Sequence, residues 1–384
     1  MRVIPDIPIK YTRFPDNYVN DINGWAFDKE TIINNKGKLL TLDIDYGSYC
    51  SLNCPACFRK KNSIDDVKHE LQFDNLVDVI LQAKKLGLRS VKFLGAGDPF
   101  ENSGFMKFLR FLKEQDVIPL IFTKGHVIGD DNLVFKYFGE YGIYTGVELV
   151  KELNRCNVSI MLGFNSFDDE IQAKMVGRKA GYIHVRNKAL QLLVAEGFND
   201  SNPTRLALAI NPVTIWNIDE TFEMYQWGRL RNLYCIVTPS MIAGRAKDKT
   251  WVAITPSEEK LEKLYSDIYD FNIETNLQTI EQIEEEGISS YAGGHPCNQV
   301  ATGMYVSLNG QVLSCPGSEE NHEGNYWEKS LEEIWLSSEN YKRSGTFNCG
   351  CIAKDGKSIP DNFYTKVLTK LKKSHGVNFY ATTY

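Results

Sequence analysis

Between residues 38 and 245, short apolar runs alternate with longer stretches whose apolar residues return every three or four positions. The runs LLTLDID (39–45), SVKFLGAG (90–97), IPLIFTKG (118–125), VSIMLGFN (158–165), RLALAINPVT (205–214) and LYCIVTPSMIA (233–243) predict six strands. Helical periodicity fills the intervals: FDNLVDVILQAKKLG (73–87), closed by Gly87, then SGFMKFLRFLKEQ, the region 131–155, a helix ending near Phe198, and NIDETFEMYQWGRL. Strands that alternate with helices imply parallel pairing through right-handed crossovers. A six-stranded partial barrel or a doubly wound open sheet would satisfy this order, and in either the site lies at the C-terminal ends of the strands. That edge carries the stretches CSLNCPAC, GAGDP, TKGH and FNS.

After about residue 250 the rhythm changes. PSEEKLEKLYSDIYDF predicts a charged amphipathic helix capped by Ser257, and EQIEEEG reads as a solvated acidic stretch. MYVSLNGQVLSC predicts a hairpin about Asn309-Gly310, in a type I′ turn with both central residues at positive φ. The expected organisation is an N-terminal extension (1–37), an α/β core (38–250) and a smaller C-terminal α+β unit (251–384).

Composition narrows the class. The 384 residues are 43% hydrophobic and 24% charged, enough for a sizeable core. A net charge of −6, with lysines and arginines scattered, gives no general attraction to nucleic acid, and none is expected as a partner. No stretch approaches the roughly 18 apolar residues of a membrane span, and the N-terminus lacks a signal-peptide core. No membrane association is expected, and a reducing cytoplasm is the expected compartment. There, clustered thiols point to metal or redox chemistry.

Three of the nine cysteines, Cys50, Cys54 and Cys57, fall at i, i+4 and i+7. On a helix they would share one face, but Pro55 would cost that helix about 3 kcal/mol and turns Cys54 away from helical angles. A loop wrapped around a metal group is the better reading. Structural zinc would want a fourth ligand, for which the nearest candidate is His69. Three thiolates without an evident fourth fit a 4Fe-4S cluster with one iron open.

Taken together, the ordered stretches resemble the radical S-adenosylmethionine (SAM) enzymes across residues 39–245. CSLNCPAC is similar to the family's cluster loop, whose open iron binds the amino and carboxylate groups of SAM. GAGDP resembles the glycine-rich motif whose backbone receives the SAM amino group, implicating Gly95, Ala96, Gly97 and Asp98. Asn165 and Ser166 stand where the family places contacts to the ribose, and the fifth strand where adenine packs. The residue before the third cysteine, usually aromatic, is Ala56 here; Phe58 lies on the other side of Cys57. The resemblance implies a partial (β/α)6 TIM-like barrel and an enzyme drawing electrons from a reducing partner such as flavodoxin or ferredoxin. Such enzymes cleave SAM to a 5′-deoxyadenosyl radical, which abstracts hydrogen from an unactivated carbon. Oxidation, epimerisation and elimination are all open outcomes.

Cys297, Cys315, Cys349 and Cys351 form a second set, the first two framing the hairpin as C-x12-G-x4-C. With SLEEIW following, this is similar to the auxiliary-cluster extensions called SPASM and twitch domains. It implies one auxiliary 4Fe-4S cluster, to which one of Cys349 and Cys351 need not be a ligand; a four-cysteine zinc site is the physical rival. Cys156, at a helix end, reads as structural. Cys235, on the sixth strand, would be a hydrogen donor to a substrate radical only if it faced the barrel interior. Only 49 residues precede Cys50, which favours a small polar metabolite of sugar or aminocyclitol type over a peptide. Lys124, His126, Asn217, Asp219 and Arg245 are candidate polar contacts. The alternatives are a peptide-modifying maturase and a non-catalytic iron-sulfur or zinc protein.

Overall fold

The structure is a computed structural model that describes residues 1–58, 70–318 and 320–375. His69 lies outside the described residues. Nine strands form one sheet: β1 (Thr41–Ile44), β2 (Ser90–Phe93), β3 (Ile118–Thr123), β4 (Ser159–Gly163), β5 (Leu206–Val213), β6 (Tyr234–Pro239), β7 (Gly303–Val306), β8 (Gln311–Leu313) and β9 (His322–Asn325). The order is β6-β5-β4-β3-β2-β1-β7-β8-β9. The first six strands are parallel, each beside its predecessor, as right-handed crossovers require. The architecture is the α/β partial barrel of six parallel strands, with an antiparallel C-terminal region.

Each crossover helix forms because its apolar positions share one face. In Phe73–Leu86 the buried residues are Leu76, Val79, Ile80 and Ala83, and the helix ends on Gly87 at φ +111°, where a side chain would be strained. The region 131–155 divides into Asp131–Phe138 and Gly146–Arg155, broken at Gly139 and Gly142 and restarted by a capping box between Thr145 and Glu148. The acidic stretch is the helix Ile280–Glu286, solvated as expected at Glu281, Glu284 and Glu285, with Ile283 alone buried. In the hairpin only Gly310 takes positive φ (+80°). Gly310 N donates to Ser307 O and Ser307 N to Gln311 O, so the expected type I′ turn is a longer connection with its left-handed residue last.

Strand alternation separates two faces. Leu42, Ile44, Val91, Phe93, Ile160, Leu208 and Val237 pack outward against the helices. Leu120, Met161, Ala207, Tyr234 and Ile236 face the lumen, where Ile22 and Trp25 from the N-terminal segment join them. The lumen also holds a buried ion pair, Asp43 with Lys92 at 3.7 Å; burial pushes the Asp43 carboxyl up to about 6 despite that lysine.

β7 pairs with β1 in parallel, Thr41 opposite Gly303 through Ile44 opposite Val306. The hydrophobic core runs through this junction from Leu39 to Leu371. The N-terminal segment lies along the barrel: Val3 N donates to Phe167 O, Tyr11 N to Leu230 O and Phe14 N to Thr275 O. No helix among the described residues is long and apolar enough to cross a membrane.

Candidate active site

Cys50, Cys54 and Cys57 line one cavity of about 160 Å³ at the C-terminal edge of the barrel, on a loop with no helical turn. Gly95 through Asp98, Phe58 and Asn165 line the same cavity. No fourth cysteine or histidine lines it among the described residues. Burial pushes the Cys50 thiol up, and Asp98 adds to the effect; burial also raises Cys54, against the pull of the Lys124 ammonium. Such thiols give up their protons when a metal takes the proton's place. Three of them on one cavity, with room opposite, fit an iron-sulfur cluster.

The loop is clamped by contacts far away in sequence. Ser51 N donates to Glu101 Oε1 at 2.8 Å, and the Arg178 guanidinium donates to Ser51 O at 2.7 Å. Arg245 donates to Asn53 Oδ1 at 2.6 Å, and its own N–H to Cys57 O at 3.0 Å. Two glycines permit the approach: a Cβ on Gly97 would stand 2.1 Å from Tyr49 O, and one on Gly177 2.1 Å from Asn53 O. Asp98 N donates to Tyr49 O, so the GAGDP backbone is stitched to the loop itself.

Behind the cavity Glu101 accepts from Tyr137 OH at 3.3 Å and meets His126 Nε2 at 2.7 Å, while His126 Nδ1 is 3.7 Å from Asp98. Burial disfavours the imidazolium, but the hydrogen bond to Glu101 and the two carboxylates outweigh it, so the His126 pKa is raised. Glu101 is lowered: burial raises it, and His126 with Ser51 more than reverses that.

The other sequence candidates separate cleanly. Lys124 lines the cavity, its chain lying over Gly163, where a Cβ would be 2.4 Å from Lys124 Cδ. Asn165 also lines it; its amide donates to Asn211 O, and its carbonyl oxygen Oδ1 has no partner. Ser166 is not part of the lining, because its hydroxyl donates to Glu220. Asn217 donates to Asn165 O and positions that residue from behind, and Asp219 is a surface partner of Lys260. Arg245 and His126 serve the loop and its support. Cys156 is buried in the core, as expected. Cys235 is a correction: its thiol lies in the outer core under Gly228, facing Tyr225 O and Leu233 O, so it does not reach the lumen.

The family model described as the radical SAM superfamily matches residues 44–225, the stretch that builds this cavity. That stretch is a radical SAM domain. No curated sequence matches it significantly. Among solved structures it is similar to native anSMEcpe with bound AdoMet, at 14% identity over 87% of this chain and 96% of that one, with a TM-score of 0.58. It is also similar to SuiB of Streptococcus suis, bound to S-adenosylmethionine (18% identity, 82% and 70% covered, TM-score 0.52) or to its precursor peptide SuiA (19%, 82% and 69%, 0.54). At these identities the likeness is one of fold.

In this radical SAM enzyme three thiols of the second set lie about Tyr291, which packs on the lumenal cluster. Cys297 packs on the lumenal cluster beside Phe122 and Tyr291. Burial raises the Cys297 thiol and, further, the Cys315 thiol, and the neighbouring Cys351 adds to both effects. Cys349 stands apart: its thiol faces Thr346 O at 3.6 Å, and the charge acting on it is Arg343. Among the described residues no three His, Cys, Asp or Glu side chains close on a point as a single metal ion requires. Thiols around a multi-iron cluster stand further apart than a single ion requires, and thiolate is the usual ligand of such a cluster. Lys354, Lys92 and Glu101 carried no signal in the sequence, because each matters through a partner on another element: Thr238, Asp43 and Ser51.

Proposed function

We propose that this radical SAM enzyme carries a SAM-binding 4Fe-4S cluster on Cys50, Cys54 and Cys57 and an auxiliary cluster on Cys297, Cys315 and Cys351. The supporting observation is that three thiols, the Gly95–Asp98 backbone and Asn165 share one cavity at the C-terminal edge of the strands. Bound there, cluster and SAM supply a radical able to take hydrogen from an unactivated carbon. The chain's own residues bind, orient and shield. Gly97 lets backbone approach the ligand, Lys124 offers a cation to a carboxylate, and the unpartnered Asn165 Oδ1 accepts from a hydroxyl. Phe122, Met161 and Met241 make an apolar wall that excludes water.

The substrate taken between the two thiol sets is, in this reading, a small polar metabolite of sugar or aminocyclitol type. What favours it is the segment before β1, whose residues are consumed in packing on the barrel, with Ile22 and Trp25 in its lumen. A peptide is the second reading, favoured by similar structures of anSMEcpe with AdoMet and a peptide bound, TM-score 0.58, and of SuiB with SuiA. Anaerobic reconstitution should give about eight irons per chain and reductant-dependent 5′-deoxyadenosine. Zinc in place of iron, or no cleavage of SAM, would overturn the reading. Deuterium carried into 5′-deoxyadenosine from labelled aminocyclitols supports the first substrate class; deuterium carried only from peptides supports the second.

A further inference from the structure

Lys354 is fully buried, at 0% exposure, whereas the other lysines among the described residues, Lys92 apart, reach solvent at least in part. Its ammonium donates to Thr238 Oγ1 at 2.7 Å, on the lumenal end of β6, and stands 4.3 Å from the centroid of the Tyr291 ring. The turn from Cys351 places it there, Lys354 N donating to Cys351 O at 3.0 Å. Tyr291 packs with Cys297 on the lumenal cluster, so the ring beneath the ammonium adjoins the thiol set. Lys92, the other buried lysine, differs in having a carboxylate partner, Asp43 at 3.7 Å, and it too acts on Cys297. Lys354 has no ion pair with a carboxylate among the described residues. An ammonium without a counter-ion is costly to bury, and so is a thiolate. The two costs offset each other only if the thiol set is negatively charged, as it is when it holds a cluster.

Resting on the auxiliary-cluster reading above, we propose that Lys354 is the built-in counter-charge of the auxiliary cluster and raises its reduction potential. Three thiolates on an oxidised 4Fe-4S core of charge 2+ leave the assembly at 1−. One electron from a low-potential donor takes it to 2−, and a neighbouring cation in a low-dielectric pocket stabilises the second state more than the first. The cluster is thereby fitted to accept an electron beside the lumen.

The test uses the full chain with Cys50, Cys54 and Cys57 all replaced by alanine, so that only the auxiliary cluster remains. Iron is counted, and the midpoint potential is read by EPR during titration with dithionite. With Lys354 intact, about four irons are expected; none would sink the auxiliary-cluster reading itself. Lys354→Met is expected to keep the iron and to disfavour reduction at least tenfold, a fall of about 59 mV for one electron. Replacement of the exposed Lys357 by methionine should leave the potential in place, because water screens that charge. Four irons with an unchanged potential in Lys354→Met would overturn the proposal. Should Lys354→Met take up no iron, Lys354→Arg decides: iron restored by the retained charge supports the proposal, and iron still absent overturns it.

Discussion

At the scale of single residues, Cys349 and Cys351 differ by one glycine and turn to different surroundings. Gly350 and Asn348 both take positive φ (+71° and +46°), so the chain reverses through the CGC run, and only Cys351 faces Cys297 and Cys315. Cys349→Ala should therefore keep the auxiliary iron, whereas Cys351→Ala should lose about four irons per chain by colorimetric assay. Cys235→Ala tests the other reassigned thiol. It should cost on the order of 1 kcal/mol in denaturant unfolding and leave the turnover product unchanged, since the thiol packs beneath Gly228. Loss of product hydrogen in that variant would return Cys235 to the mechanism. Spacing made the thiols of both sets legible in the sequence. Which way a strand residue points, or which of two neighbouring cysteines turns inward, depends on register and on a few φ angles that spacing does not encode.

At the scale of elements, the cysteine loop has no regular structure of its own and is held by what surrounds it. Gly97→Ala would push a methyl to 2.1 Å from Tyr49 O, forcing the loop off the GAGDP turn. Folded protein with SAM affinity reduced tenfold or more, measured by calorimetry on the reconstituted enzyme, is the expected result. The Glu101–His126 pair predicts a pH window. His126, raised above 6.5, contributes stability that is present below that value and lost as pH climbs through its folded pKa. Glu101, lowered below 4.5, contributes stability that is present above that value and lost as pH falls through its folded pKa. Asp98, raised by burial despite His126, withdraws its own contribution earlier, as pH rises from 3.8. The pair's support is thus complete between pH 4.5 and 6.5. Melting of the cluster-free protein should decline above pH 6.5, and Glu101→Gln should flatten that decline. The helices and strands bearing these groups were legible from periodicity and capping residues, down to Gly87 and Ser257. The clamp was not, because Glu101 and Ser51 meet only after the crossover through Phe73–Leu86 brings their loops together.

At the scale of the whole molecule, the β1–β7 junction and the lumen bind the parts into one body. A chain ending at residue 250 would leave β1 without its outer partner and remove Cys297, Lys354 and the helix Glu258–Glu274 that packs on Ile218–Arg229. Such an edge invites association, and each large apolar residue it exposes forfeits about 1.5–3 kcal/mol. The truncated chain should appear aggregated by size-exclusion chromatography; a stable monomer would show the first six strands to be self-sufficient. The sequence by itself determined the six strands and their alternation with helices, the edge that carries the chemistry and the two thiol sets, because periodicity and cysteine spacing are local properties of the chain. Only the tertiary structure decided that β7 extends the same sheet, that Cys235 faces the helices, that Ser166 serves Glu220, and that Lys354 stands uncompensated among three thiols. Those facts depend on where distant segments meet and on which groups lose their water when they do.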